Sequence, residues 1–307
     1  MTTPLIVMGS ASRDYTVLVD RHPLPGETLL GGDIIIGSGG KGANQAVAAS
    51  RAGGSPVFLG CFGDDTTGAE LISNLDARGV DISHVTRTTQ APTGVALITV
   101  AASGENSIVV AAGANAHLTA DATSAAIRSV ITSAMAAGDV DLGSRTSPSG
   151  IVLAQLEVPL ETVEAAAQVA SDLGARFVLN LSPSRDIPDE LLALCDPLVV
   201  NESEAAAVAG QPVDSIEDAR RVAEALLSRC LSVVVTLGGD GVVVASGSQV
   251  EHLPAERVTV VDTTGAGDAF VGALVARLAQ GGTLRNAVEV GISAGAKAVQ
   301  HLGAQPA

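Results

Sequence analysis

Pro197-Leu198-Val199-Val200-Asn201-Glu202-Ser203-Glu204-Ala205-Ala206-Ala207-Val208-Ala209 is an apolar run that turns, at one Asn, into an alanine-rich segment with two acids at its start. The run reads as a buried strand over 197–201, because short Leu/Val-rich runs suit strands covered on both faces. The segment after it reads as a helix over 203–209, with Glu202 and Glu204 where a helix dipole favours negative charge. The same texture extends outward in both directions. Strand-like runs at 151–156, 177–181, 232–236 and 241–245 alternate with helix-like runs at 119–136, 160–173, 216–229, 268–280 and 283–300. Such alternation implies an α/β fold with a mostly parallel sheet clothed by helices on both faces. The N-terminal part is richer in strand-like pieces, at 5–8, 14–20, 29–36, 57–60, 93–100 and 106–111. Four of these, 14–20, 29–36, 93–100 and 106–111, lack intervening helices and are expected to form a small separate β-sheet. The Gly-, Ser- and Pro-rich stretch 138–150 reads as a surface loop.

Composition narrows the function classes. Apolar residues make up 47% of the 307 and charged residues 16%, which excludes general disorder. A net charge of −16 repels phosphate backbones and anionic membrane surfaces, so neither nucleic acid nor membrane is an expected partner. Four Phe, one Tyr and no Trp leave little for a base-stacking platform. Cys61, Cys195 and Cys230 are far apart, with neither a redox pair nor zinc spacing, and read as buried reduced thiols. The N terminus has no basic-then-apolar leader. No stretch of about 20 apolar residues occurs. A cytoplasmic protein is therefore expected.

Two glycine-rich clusters carry the chemistry. Gly37-Ser38-Gly39-Gly40-Lys41-Gly42-Ala43-Asn44 lies between a strand and an alanine-rich helix. Its Gly37-x-Gly39-x-x-Gly42 spacing matches a dinucleotide fingerprint, but several β segments precede it, whereas the fingerprint belongs after the first strand of a βαβ unit. A dinucleotide-dependent oxidoreductase would also need an acidic residue after the next strand, and Asp64 is only loosely placed. A P-loop is ruled out because Gly42, not Ser or Thr, follows Lys41. The remaining reading is a tight backbone turn around a polyhydroxylated ligand, with Lys41 donating and Asn44 both donating and accepting. A plain turn with a solvated Lys is the bland alternative.

The second cluster, Val260-Val261-Asp262-Thr263-Thr264-Gly265-Ala266-Gly267-Asp268-Ala269-Phe270, runs from a strand end through a turn into a helix. Amides at a helix N terminus attract phosphate. Asp268 could simply cap the helix. Alternatively it is a general base beside an anion hole built from the Gly265, Ala266 and Gly267 amides.

Gly39-Gly40-Lys41-Gly42-Ala43-Asn44-Gln45-Ala46 resembles the N-terminal signature of the ribokinase-like (PfkB) sugar kinases, and Asp262-Thr263-Thr264-Gly265-Ala266-Gly267-Asp268 resembles their C-terminal signature. The resemblance extends from Gly9-Ser10 to Gly303-Ala304-Gln305-Pro306. It implies a three-layer αβα sandwich with a small β-sheet lid. The core would comprise 1–12, 38–91 and 112–307, and the lid 13–37 and 92–111. It further implies sugar binding by Asp14 at the start of the lid, by Gly40, Lys41, Gly42 and Asn44, and by Glu157. Ser12 stands where the ribokinase branch commonly has Asn. Asn201 and Glu204 would organise a magnesium–phosphate network. Thr236, Gly238, Gly239, Asp240 and Gly241 would form the nucleotide loop, with adenine packed between it and the last helix near Ile292. Asp262 and the carbonyls of Thr264, Ala298, His301 and Gly303 would hold a monovalent cation, potassium.

The signatures look most like the ribokinase branch, so the implied reaction is ATP-dependent conversion of D-ribose to D-ribose 5-phosphate, with Asp268 as base. Ala96 and Ile98 would cover the sugar from the lid, and lid strands would clasp a second copy into a homodimer. A deoxyribose, hexose or nucleoside kinase is the alternative within the family. A non-catalytic sugar sensor on the same fold is another, against which Asp268 speaks.

Overall fold

The computed structural model describes residues 3–137, 148–301 and 303–305. Most of the 138–150 loop thus lies outside the described residues, as does Pro306. In chain order the first half carries β1 (Leu5–Met8), β2 (Ser12–Val19), β3 (Ile35–Gly39), α1 (Lys41–Arg51), β4 (Pro56–Leu59), β5 (Cys61–Gly63), α2 (Thr66–Ala77), β6 (Thr86–Thr88), β7 (Gly94–Ala101), β8 (Asn106–Ala111) and α3 (Ala120–Ala136). The second half carries β9 (Ile151–Ala154), α4 (Leu160–Asp172), β10 (Arg176–Asn180), α5 (Asp189–Leu192), β11 (Cys195–Asn201), α6 (Glu202–Ala209), α7 (Ile216–Leu226), β12 (Ser232–Thr236), β13 (Val242–Ser246), β14 (Gln249–Leu253), α8 (Ala266–Ala279) and α9 (Leu284–Ala298).

Among the described residues, eight strands form the central sheet in the order β14-β13-β12-β11-β10-β9-β1-β4. The pairs from β12 to β4 are parallel, and β13 and β14 complete one end as antiparallel strands. Alternate strand residues feed two cores. Ile6, Val152, Leu179, Val200 and Val235 pack with residues of α3, α4, α6 and α7. Leu5, Leu153, Val178, Val199 and Val234 pack with residues of α1, α2, α8 and α9. That division follows from the two-residue period of a strand and gives the three layers. Burying each Leu, Val or Phe in this way contributes about 1.5–3 kcal/mol.

A second sheet stands apart, in the order β3-β2-β7-β8. It differs from the sequence reading at one strand. Residues 29–34 are not strand, and β3 begins only at Ile35. Gly31 and Gly32 bring no side chains to a ladder, and Gly32 instead donates its N–H to the Leu18 carbonyl at 2.9 Å. The helix α2, started by Asp65 accepting from the Gly68 N–H, was not among the sequence expectations. Its apolar residues are diluted by Gly68, Ser73 and Asn74.

Candidate active site

The functional groups gather where β-strands of the central sheet end and the two glycine-rich turns begin helices. Gly40, with φ +89°, closes the first turn, and a Cβ there would sit 2.6 Å from the Ala11 Cα. The backbone can therefore pass this point only as glycine. The Lys41 N–H, at the start of α1, donates to a Glu157 carboxylate oxygen at 3.0 Å. Ser10 donates its hydroxyl to the same oxygen. Beside this pair, the Ser12 hydroxyl donates to Asp14 at 2.8 Å. Asp14 faces Gly39 so closely that a Cβ on Gly39 would lie 2.0 Å from a carboxylate oxygen. Burial, reinforced by the negative charges of Glu157 and Asp268, lifts the Asp14 carboxyl to about 6 despite the Ser12 bond.

Asp268 is buried in the first turn of α8. One of its oxygens accepts from Asn44 Nδ2 at 2.9 Å and the other from Gln45 Nε2 at 2.9 Å. Burial raises its pKa, and the Lys41 ammonium and the two amides work against that rise. The helix behind it has Gly265 as N-cap at φ +76° and no side-chain cap. The second cluster departs from expectation at Ala266, whose N–H donates to the Thr263 carbonyl at 3.2 Å. Gly265 and Gly267, by contrast, both line a cavity. A Cβ on Gly267 would meet nothing within 4 Å, so this backbone borders open space.

A cavity of about 160 Å³ joins Asp268 and the second glycine-rich turn to the start of α6, and Asp14, Asn44 and Glu157 are not among the residues that line it. Lys41, Asp268, Gly265 and Gly267 line it together with Asn180, Ser182, Asn201, Glu204 and Thr236. Asn201 and Glu204 form a capping box at the start of α6, with both reciprocal bonds at 2.9 Å. Burial raises the Glu204 pKa, against the Asn201 N–H and the Ser182 hydroxyl that donate to it. The positive charge of Lys41, which lines the same cavity, favours the ionised form of both Glu204 and Asp268.

Other expected residues lie outside this cavity. Gly238, Gly239 and Asp240 form a short 3₁₀ turn after β12, and Gly241 closes it at φ +97°. Ile292, on α9, is partly buried and packs against the core on that side of the sheet. Asp262 accepts from the Thr264 N–H at 2.9 Å and the Gly303 N–H at 2.8 Å. These donors outweigh the effect of its partial burial and hold its pKa below the ordinary value. The Ala298 carbonyl receives the His301 N–H at 3.1 Å, within the turn that ends α9. Ala96 is buried and stands opposite Asp14 in the β2–β7 register, with Ile98 two residues on.

Sequence reasoning assigned no role to Gln45, Gln155, Asn180, Ser10 or Gln305. Gln45 directly follows Asn44 in the first signature, which was the one available signal. Gln305 donates to the Asn44 carbonyl oxygen at 2.7 Å, a pairing 261 positions apart that no local pattern announces.

A protein whose curated name is "Ribokinase", from Haemophilus influenzae, is 37% identical over 306 residues, covering 99% of this chain and 95% of its own. A "Deoxyribokinase" from Salmonella typhi is 33% identical over 304 residues, covering 98% and 94%. The structure of Arabidopsis thaliana ribokinase complexed with ribose and ATP superposes with a TM-score of 0.84 at 28% identity, covering 99% of this chain and 95% of that one. The pfkB family carbohydrate kinase model matches residues 2–307, so both glycine-rich signatures and the sheet that brings them together fall within one match, and the chain belongs to that family.

Proposed function

We propose that the chain transfers the γ-phosphoryl group of ATP to the 5-hydroxyl of D-ribose. The observation that carries this reading is the single cavity that joins buried Asp268 and Lys41 to Gly267, Asn201, Glu204 and Thr236. Relatives named ribokinase match the chain over nearly its whole length, which supports ribose as the sugar. Asp14, Asn44 and Glu157 would accept or donate to sugar hydroxyls, and Ala96 and Ile98 would cover them. Asp268 would take the proton of the attacking hydroxyl. Lys41 and the Gly265 and Gly267 amides would stabilise charge on the group in transit. The turn at Gly238–Gly241 and Ile292 would hold the adenine.

The donor set also fits magnesium. Glu204 and Asn201 are oxygen-bearing and border the cavity, but they hold each other in the capping box. They would therefore act on the ion through its waters. Magnesium bound with the nucleotide supplies neutralising charge to the phosphates. Asp262 with the Thr264, Ala298, His301 and Gly303 carbonyls would hold a potassium ion. The lid would clasp a second copy of the chain, because both of its faces carry apolar side chains. Ile35 and Ile108 lie on the face of Asp14, and Ile36 and Leu97 on the other, all half exposed. Among the described residues no helix is long and apolar enough to cross a membrane. Three free buried cysteines agree with a reducing, cytoplasmic setting.

The test is a phosphotransfer assay with ATP over D-ribose, 2-deoxy-D-ribose, hexoses and nucleosides. The expected result is the highest kcat/KM on D-ribose with phosphate at the 5-position. A higher kcat/KM on deoxyribose or a nucleoside would overturn ribose as the substrate.

A further inference from the structure

The Asp268 carboxylate is gripped from behind by a side chain that does not reach the cavity. Gln45 is 0% exposed and stands on the inner face of α1. Each of its polar atoms has a partner. Nε2 donates to Asp268 Oδ1 and to Asn180 Oδ1, both at 2.9 Å, and Oε1 accepts from Gln155 Nε2 at 2.6 Å. Gln155 is also 0% exposed and follows the end of β9. Asn180 is the last residue of β10. Gly9, just past β1, completes the setting, since a Cβ there would lie 2.0 Å from Gln155 Oε1. Three adjacent strand ends thus fix one amide.

A glutamine amide can present either end to a neighbour. With its nitrogen toward Asp268 it donates, and turned over it would set oxygen against carboxylate. Gln155 decides the matter by filling the oxygen end, and Asn180 takes the second hydrogen. With Asn44 on the other oxygen, the Asp268 carboxylate is held at both ends and its plane cannot turn.

We propose that Gln45, oriented by Gln155 and Asn180, is a positioning residue for phosphoryl transfer, holding the Asp268 carboxylate so that an oxygen faces the acceptor hydroxyl. The role rests on the reading of Asp268 as base. It concerns turnover rather than affinity, because Gln45 lies behind the carboxylate and not in the space for sugar or nucleotide.

The experiment is a double-mutant cycle on the full chain, with kcat and both KM values measured for Gln45→Met, Gln155→Met and Asp268→Asn, and for each glutamine change combined with Asp268→Asn. Loss of one hydrogen bond to a charged group corresponds to roughly 10- to 100-fold. Gln45→Met is therefore expected to lower kcat by that order, with both KM values within about twofold. Gln155→Met, one step further from the carboxylate and the safer variant should Gln45→Met not fold, is expected to lower kcat less and in the same pattern. Neither change should lower kcat further once Asp268 is Asn, since the effect passes through that carboxylate. Full additivity in the Asp268→Asn background, or an unchanged kcat in the folded Gln155→Met and Gln45→Met variants, overturns the proposal. Near-normal turnover of Asp268→Asn alone overturns the base assignment itself, and the positioning role with it.

Discussion

Asn44 Nδ2 lies 2.9 Å from an Asp268 carboxylate oxygen, so two glycine-rich turns 224 positions apart meet at one hydrogen bond. Asn44 is itself held by Gln305, whose own carbonyl oxygen accepts from Asn74 at 3.2 Å. The first signature, the second signature and the chain's last described residue thereby converge on the proposed base.

Replacing that base isosterically is the most direct check on the chemistry. Asp268→Asn cannot accept a proton, and kcat is expected to fall roughly 10²–10⁴-fold. The sugar KM should change far less, because Asn keeps the size of the side chain and its carbonyl oxygen can still accept from one of the two donors, Asn44 or Gln45. Steady-state kinetics with a coupled ADP readout decides it, and unchanged turnover sinks the assignment.

Asp14 gives the site a pH dependence. Its pKa is about 6, raised from 3.8 by burial. Only the carboxylate can accept from two sugar hydroxyls, so KM for sugar should rise as pH falls through about 6. One pH unit below that value the protonated form outnumbers the carboxylate about tenfold. Stability moves the other way. The folded state binds the Asp14 proton more tightly than the unfolded chain does, so this group's contribution grows as pH drops from about 6 toward 3.8. Asp14→Ala should remove the pH dependence of KM and weaken sugar binding by about 1–3 kcal/mol. Gly39→Ala, whose Cβ would collide with the Asp14 carboxylate, should raise sugar KM while leaving ATP KM unchanged. A pH-independent sugar KM in the unaltered protein contradicts this reading.

Glu204 separates capping from metal handling. Its side chain accepts from the Asn201 N–H, a bond that Gln can keep and Ala cannot. Glu204→Ala should cost about 1 kcal/mol through the lost cap, visible in thermal unfolding. Glu204→Gln should be nearly as stable as the parent yet need more magnesium for half-maximal rate. Identical magnesium titrations for the parent and Glu204→Gln would remove Glu204 from the phosphate network.

Potassium should raise kcat relative to tetramethylammonium at equal ionic strength and magnesium, and Asp262→Ala should erase the difference. The reason is geometric, since Asp262 ties the Thr264 turn to Gly303. Ordering that loop orders Gly265 and Gly267. Equal rates in the two salts would leave Asp262 with only its role as a hydrogen-bonded clamp.

Leu97 and Val109 are register partners on one face of the lid, both more than half exposed. Placing Glu at both positions should convert a dimer into a monomer by light scattering. A parent chain that is already monomeric at working concentration would dismiss the clasp.

Much of the fold was legible because short apolar strands and amphipathic helices carry their own periods. The strands at 5–8, 106–111 and 232–236 follow from local composition, as does the helix read at 119–136, which starts one residue later with Thr119 as its cap. Both signatures were legible for a related reason. Closely spaced glycines are needed where backbone must turn tightly or approach a ligand, and Gly40 and Gly265 do adopt positive φ. What the sequence could not decide depends on residues that meet only after folding. Leu29–Ile34 looks extended by composition but lacks side chains at Gly31 and Gly32 for a ladder. The Ala266 amide is taken by Thr263, a detail of how the turn closes. Above all, the roles of Gln45, Gln155, Asn180 and Gln305 do not follow from local sequence, even where Gln45 and Gln305 fall within the signatures, because an amide's role depends on which end of it each neighbour claims. Adjacent strand ends of the parallel sheet supply Gln155 and Asn180, so their meeting with Gln45 and Asp268 is a product of topology.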